Sequence, residues 1–220
     1  MYIRSHIVLV FVLCALMPLS ALENSARVVR VIGTAEVLRL KAATWMLCDV
    51  NMRILEGERV RTGLRSNLEL ELSDGTVIKT GEATVVDLSV VNLETKSRLD
   101  LLTGKLLSKI TKITGDRSFV ITTPTALASV RGTEFGVSFE PGTKENRIVV
   151  FEGAVAVSPS GAASNEMLTL KRNETVTFSK AAIPVTAEIY NPVKDADVWD
   201  LKKYTKTRLE MINIDRNKKW

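Results

Sequence analysis

The chain has 220 residues, 45% of them apolar and 25% charged, with 30 Lys and Arg against 25 Asp and Glu and a formal net charge of +5. That is enough for one sizeable domain or two small ones, and the balance excludes an intrinsically disordered chain. Two cysteines cannot staple a disulfide-dense miniature fold, and there is a single histidine, His6.

In chain order, residues 1–21 read as a secretory signal peptide. Arg4 precedes an apolar run from Ile7 to Met17, Pro18 breaks it, and small Ser20 and Ala21 follow, with Leu19 an imperfect residue at −3. The run is shorter than the roughly 20 residues of a comfortable bilayer span. The alternative is an uncleaved N-terminal anchor in the inner membrane. The expected location is therefore the periplasm or the cell surface. A cut after Ala21 removes Arg4, His6 and Cys14, leaving Cys48 as the lone cysteine and no histidine. Cys48 then reads either as a half-buried small hydrophobe or as one half of an intermolecular disulfide. Without histidine, Ser-His-Asp and Cys-His catalysis and His-ligated zinc are closed off. No S-x-x-K, G-x-S-x-G or Walker loop is present, since Gly104-Lys105 is followed by Leu106. An enzyme would have to work with carboxylates alone, and no cofactor is indicated.

The body, residues 22–183 with a core at 33–157, is read as mainly β. All 12 glycines fall between Gly33 and Gly161. Leu68-Glu69-Leu70-Glu71-Leu72 sets three leucines on one face before the turn signal Asp74-Gly75. Phe135-Gly136-Val137-Ser138-Phe139 precedes Pro141-Gly142, and 148–151 and 154–157 flank Glu152-Gly153. Further strands are expected at 77–79, 99–102, 119–122, 168–170 and 176–178. Turn signals about every 8–12 residues predict short stacked antiparallel or solenoid-like strands, as a β-roll or sandwich. The single glycines that punctuate them favour the solenoid-like stack.

Residues 184–220 are read as a linker and a basic helix. Val198, Leu201, Leu209 and Ile212 fall near one helical face, with Thr205 between them, and Asp195 and Asp197 suit the helix start. Lys202, Lys203 and Arg208 are candidate binding residues on this amphipathic surface. The helix could pack on the β body, touch a membrane surface through Trp199, Tyr204 and Trp220, or dock another envelope protein. Nucleic acid is not an expected partner, because export removes the chain from it. A calcium loop at 195–206 lacks the central glycine and ends in Lys206.

Six blocks in order give the body a family resemblance. They begin with Gly33-Thr34-Ala35-Glu36-Val37 and Trp45, then Leu55-Glu56-Gly57-Glu58-Arg59-Val60-Arg61-Thr62-Gly63, then Ser66-Asn67-Leu68-Glu69-Leu70 with Ser73-Asp74-Gly75-Thr76. Leu102-Thr103-Gly104-Lys105-Leu106 and Phe119-Val120-Ile121-Thr122-Thr123-Pro124-Thr125-Ala126 follow. The most specific block, Val130-Arg131-Gly132-Thr133-Glu134-Phe135, is closed by Val150-Phe151-Glu152-Gly153-Ala154-Val155. Together they resemble the FecR domain of exported bacterial proteins. The resemblance implies a non-catalytic module for envelope signalling or organisation. In the best-known members a cytoplasmic segment binds an extracytoplasmic-function sigma factor, and the periplasmic FecR domain senses the signalling domain of an outer-membrane transporter. Here only six residues precede the apolar run, so a sigma factor is not expected as partner, and an envelope protein or cell-wall glycan is.

The same residues have physical readings. Thr62-Gly63 and Asp74-Gly75 are expected as turns that admit positive φ. Pro124 extends Thr123 and fits an edge or bend. Gly132 and Thr133 frame a turn in which the Arg131 guanidinium bonds neighbouring carbonyls, or else Arg131 meets a ligand. Gly153 is expected as a structural turn glycine. Glu69 and Glu71 share a strand face about 7 Å apart. That spacing suits either paired glycosidase carboxylates or, as the default, a solvated face.

Overall fold

The computed structural model describes residues 25–91, 96–111, 118–160, 167–179 and 186–191. Every regular element among them is a strand. In chain order these are β1 (Ser25–Ile32), β2 (Ala35–Leu38), β3 (Trp45–Leu47), β4 (Arg53–Leu55), β5 (Arg59–Thr62), β6 (Asn67–Leu72), β7 (Val77–Thr80) and β8 (Val85–Val91). They continue with β9 (Lys96–Lys109), β10 (Ser118–Thr122), β11 (Ala126–Val130), β12 (Glu134–Glu140), β13 (Glu145–Glu152), β14 (Ala154–Pro159), β15 (Leu168–Lys171), β16 (Glu174–Phe178) and β17 (Glu188–Ile189).

The strands form two open ladders that share β9. The first runs β4-β1-β6-β7-β9-β12-β13-β16-β17. The second runs β3-β2-β5-β8-β9-β10-β11-β14-β15. Only β9 with β10 is parallel, so the sheet is mixed. Period-two alternation decides what faces inward. Leu68, Leu70, Ile78, Leu106, Phe135 and Ile148 of the first ladder and Val37, Val60, Leu88, Leu101, Ile121 and Leu170 of the second fall in one buried cluster. Each such side chain contributes about 1.5–3 kcal/mol on leaving water.

The strands expected at 68–72, 77–79, 119–122, 135–139, 168–170 and 176–178 all fall inside observed ones. The segment at 99–102 is the middle of a 14-residue strand. The glycine-punctuated body is built by antiparallel hairpins thrown alternately into the two ladders. The segment read as a signal peptide and the expected C-terminal helix, with its 195–206 loop, lie outside the described residues.

Three crossings between the ladders use one device. The chain passes from β1 to β2 at Gly33, changes ladder inside β9 at Gly104, and passes from β13 to β14 at Gly153. Their φ values are 69°, 88° and 85°. A buried hydroxyl sits against each. Ser66 Oγ accepts from the Thr34 N–H at 2.9 Å, Thr84 Oγ1 accepts from the Lys105 N–H at 3.1 Å, and Thr133 Oγ1 donates to the Ala154 carbonyl at 2.9 Å. A methyl on Gly104 would lie 2.6 Å from the Thr84 Cα and 2.9 Å from the Ala83 carbonyl oxygen. The left-handed conformation and the crowding both demand glycine there.

Candidate functional site

On the second ladder, the alternation that buries Val60, Val86 and Leu101 turns Arg59, Arg61, Asp87 and Asp100 outward. The register sets Trp45, Leu38, Arg59, Asp87, Asp100 and Thr122 side by side across six strands. At the β3 end, the Arg61 guanidinium lies 4.2 Å over the Trp45 ring, and its Nε donates to Glu36 at 2.6 Å. Arg59 grips Asp87 through Nε at 2.5 Å and Nη2 at 2.8 Å, which makes the guanidinium harder still to deprotonate.

Asp87 and Asp100 face each other directly, an unfavourable like-charge pair unless each is compensated. Arg59 compensates the first. Arg98 donates to Asp100 at 2.7 Å, and the Ser89 and Thr122 hydroxyls donate to it as well. Partial burial raises the Asp100 pKa, but these hydrogen bonds and the Arg98 charge more than reverse it, leaving the carboxyl below its ordinary value. A depressed folded-state pKa stabilises above the unfolded-state value of about 3.9 and loses its effect as pH falls through the folded one. Denaturant titrations from pH 6 downward should therefore show the native chain more stable than Asp100→Asn, with the gap closing as the medium acidifies below pH 4. A gap that stays constant through that range contradicts the assignment.

Beside this charged strip the edge strand β3 is apolar: Met46 is 50% and Leu47 64% exposed, and Val50 is exposed just beyond. The strip thus offers ion-paired polar groups over its length and an aromatic–apolar end. Such a surface suits recognition, since its carboxylates are already held by cations and hydroxyls.

The glutamates of β6 behave as a solvated face. Glu71 pairs with Arg27 at 2.5 Å and Glu69 with Lys79 at 3.5 Å, while Leu68, Leu70 and Leu72 point into the core. Thr62 is buried, its Oγ1 donating to the Gly81 carbonyl at 2.7 Å and accepting from the Thr84 N–H at 3.1 Å. Gly63 corrects an expectation. Its φ is not positive, its N–H donates to the Thr34 carbonyl at 2.9 Å, and Arg65 takes the left-handed position instead, with φ 52°. Asp74-Gly75 is the expected turn: Gly75 has φ 81° and Asp74 Oδ1 accepts from the Thr76 N–H at 2.8 Å. Pro124 is exposed at the bend between β10 and β11, where the Thr123 N–H reaches the Ala126 carbonyl. Gly132 has φ 64° and Thr133 holds the Gly153 crossing, while Arg131 is exposed on the same turn. Lys202, Lys203 and Arg208 lie outside the described residues. Cys48 is buried in the core, and desolvation pushes its thiol up to about 11, which suits the small-hydrophobe reading over an intermolecular disulfide.

Sequence reasoning passed over Ser66, Thr84 and Asn146, all buried polar residues. It also passed over the strip itself, although Arg59-Val60-Arg61 carries the alternation that reveals it.

Residues 58–156 match the model of the family described as FecR protein. No curated protein matches the sequence. Two crystal structures of a candidate anti-sigma factor from Parabacteroides distasonis share the fold, with TM-scores of 0.53 and 0.54 and 17% identity each. The matches cover 60% and 63% of this chain and the same shares of those, so this chain spans about three fifths of their length. The expectation that excludes a sigma-factor partner gains no support from these relatives. The six ordered blocks and the β architecture agree with this match, in which residues 58–156 of the chain are similar to the FecR family.

Proposed function

We propose that this chain is a non-catalytic binding module of the bacterial cell envelope, periplasmic or at the cell surface, that serves signalling by contacting a protein partner. The observation that carries the reading is the β3 end of the second ladder, where Trp45 and Leu47 stand beside a strip of paired charges and Met46 is exposed on the other side of the same edge. Protein interfaces concentrate their binding energy in aromatic and apolar anchors ringed by polar groups. A protein suits this end better than a glycan, because Arg61 already occupies one face of Trp45. The FecR domain and the fold shared with a candidate anti-sigma factor support a regulatory role.

Crosslinking in intact envelopes, followed by pull-down of the full chain, tests it. The pair Met46→Asp and Leu47→Asp, on an exposed three-residue edge, should leave the circular dichroism unchanged and reduce the captured partner by roughly tenfold. Equal capture by the variant, or recovery of cell-wall glycan alone, overturns the reading. Fractionation with N-terminal sequencing should find a mature start near Leu22; a full-length cytosolic chain overturns the envelope assignment.

A further inference from the structure

Each ladder ends, near the start of the chain, in a short strand with one open edge: β4 on the first and β3 on the second. On β4 side chains close that edge. The Leu55 N–H donates to Glu58 Oε2 at 2.8 Å, the Arg53 carbonyl accepts from Arg39 Nη1 at 2.7 Å, and Arg39 and Glu58 pair with each other at 2.6 Å. At the far ends of the ladders β15 carries Lys171 and β17 carries Glu188, charges that discourage further pairing. β3 has neither device. The Cys48 N–H donates to the Ala35 carbonyl at 2.9 Å, which fixes the phase of the alternating bonds. Met46 therefore bonds toward β2, while Trp45 and Leu47 turn their N–H and C=O groups away from it. Among the described residues nothing bonds those outward groups.

We propose that β3 takes an extended segment of the protein partner as an added antiparallel strand, apolar over three residues, with a basic residue before them and an acidic one after. This rests on the β3 end being the partner-binding surface, and adds the form in which the partner is held. Trp45 and Leu47 each exchange two hydrogen bonds with the residue opposite, continuing the antiparallel pairing that every strand pair but β9 with β10 already uses. The register sets the side chains. Trp45 and Leu47 stand on the outer face beside Leu38 and Glu36, and Met46 on the inner face beside the buried Val37, so apolar partner residues meet apolar ones on both faces. Charge sets the direction. Arg39, Glu58, Arg61 and Glu36 are already paired. Exposed Lys41 precedes the strand and exposed Asp49 follows it, so an antiparallel segment brings its first residue to Asp49 and its last to Lys41.

The probe is the peptide acetyl-Lys-Thr-Val-Ile-Val-Thr-Glu-amide, titrated into the isotope-labelled full chain. The Trp45 and Leu47 amide signals should shift and their hydrogen exchange slow by about tenfold at saturation, while the Met46 amide, already bonded to β2, changes little. Leu47→Pro removes one outward N–H at an edge position that tolerates proline, and Leu47→Ala keeps it. At unchanged circular dichroism the first should bind the peptide about tenfold more weakly than the second. If the proline variant misfolds, the exchange pattern of the parent chain decides alone. No binding by the parent chain overturns the proposal. Equal affinities of the two variants assign docking to side chains, which overturns the added strand but leaves partner capture through Met46 and Leu47 standing. Tighter binding of the peptide with Lys and Glu exchanged overturns the assigned direction. Slow exchange at Trp45 and Leu47 that follows protein concentration without peptide gives the edge to a second copy and overturns the proposal as well.

Discussion

Gly104→Ala is expected to lower the unfolding free energy by about 3–5 kcal/mol, read from urea or guanidinium transitions of the full chain. Two costs combine. At φ 88° an L-residue with a Cβ is held in a sparsely populated conformation, worth about 1–3 kcal/mol. The methyl also meets the Thr84 Cα at 2.6 Å and the Ala83 carbonyl at 2.9 Å, both backbone atoms, and forcing them apart adds about 1–3 kcal/mol. Relief is poor because Ala83 is itself left-handed, with φ 48°, and its N–H is tied to the Gly63 carbonyl at 3.1 Å. Gly75→Ala is the control. Its φ is 81°, but among the described residues a methyl there meets only Thr111 Oγ1, at 3.6 Å, so the conformational cost alone, about 1–3 kcal/mol, should appear. Equal losses in the two variants would show that the crossing is not crowded.

That prediction also marks what the sequence could and could not reveal. Leu68-Glu69-Leu70-Glu71-Leu72 announces both its strand and its inward face, because polar and apolar residues alternate cleanly. β9 hides its nature. Leu101-Leu102 and Leu106-Leu107 each set two leucines side by side, and Gly104 between them mimics a turn. In the structure the strand continues and simply changes ladder, so the face that is buried switches at the glycine. Whether a glycine ends a strand or bends it depends on what lies opposite, here Thr84, 20 positions away in the chain. β2, β3, β4 and β5 were not read as strands: three or four residues carry little period, and β7, no longer than β2, stood out because the Asp74-Gly75 turn signal precedes it.

The recognition strip was half legible. Arg59-Val60-Arg61 shows by alternation that the arginines share a face, but only the register of β5 with β2 and β8 supplies Glu36 and Asp87 as their partners. Asp100 needed three strands at once, since Ser89, Arg98 and Thr122 come from β8, β9 and β10. The family blocks located the words of the sequence that carry the resemblance without saying what they hold. Thr62 and Thr133 proved to be internal latches, whereas Trp45 stands on the surface beside the only long run of outward ion pairs that the second ladder presents among the described residues.

Asn146→Ala is expected to cost about 2–4 kcal/mol, because it breaks a buried polar link between the two ladders. Asn146 begins the inward face of β13, in phase with Ile148 and Val150, where an apolar residue would ordinarily sit. It is fully buried and reaches across to the hairpin bend of the second ladder. There its Oδ1 accepts from Thr123 Oγ1 at 2.6 Å and its Nδ2 donates to Thr125 Oγ1 at 2.6 Å, on either side of Pro124. Removing the amide leaves the Thr123 O–H without its acceptor, although its oxygen still accepts from the Thr125 N–H at 3.3 Å, and an unsatisfied buried donor costs more than the net worth of the bond it lost. Asn146→Leu should therefore be destabilising too, despite filling similar space. Combining Asn146→Leu with Thr123→Val and Thr125→Val should recover much of the loss, since replacing both partners of a buried hydrogen bond by apolar groups approaches neutrality. A triple variant as unstable as the sum of its parts would mean that the three residues act independently, and the Thr123-Pro124-Thr125 bend would then owe its position to packing alone.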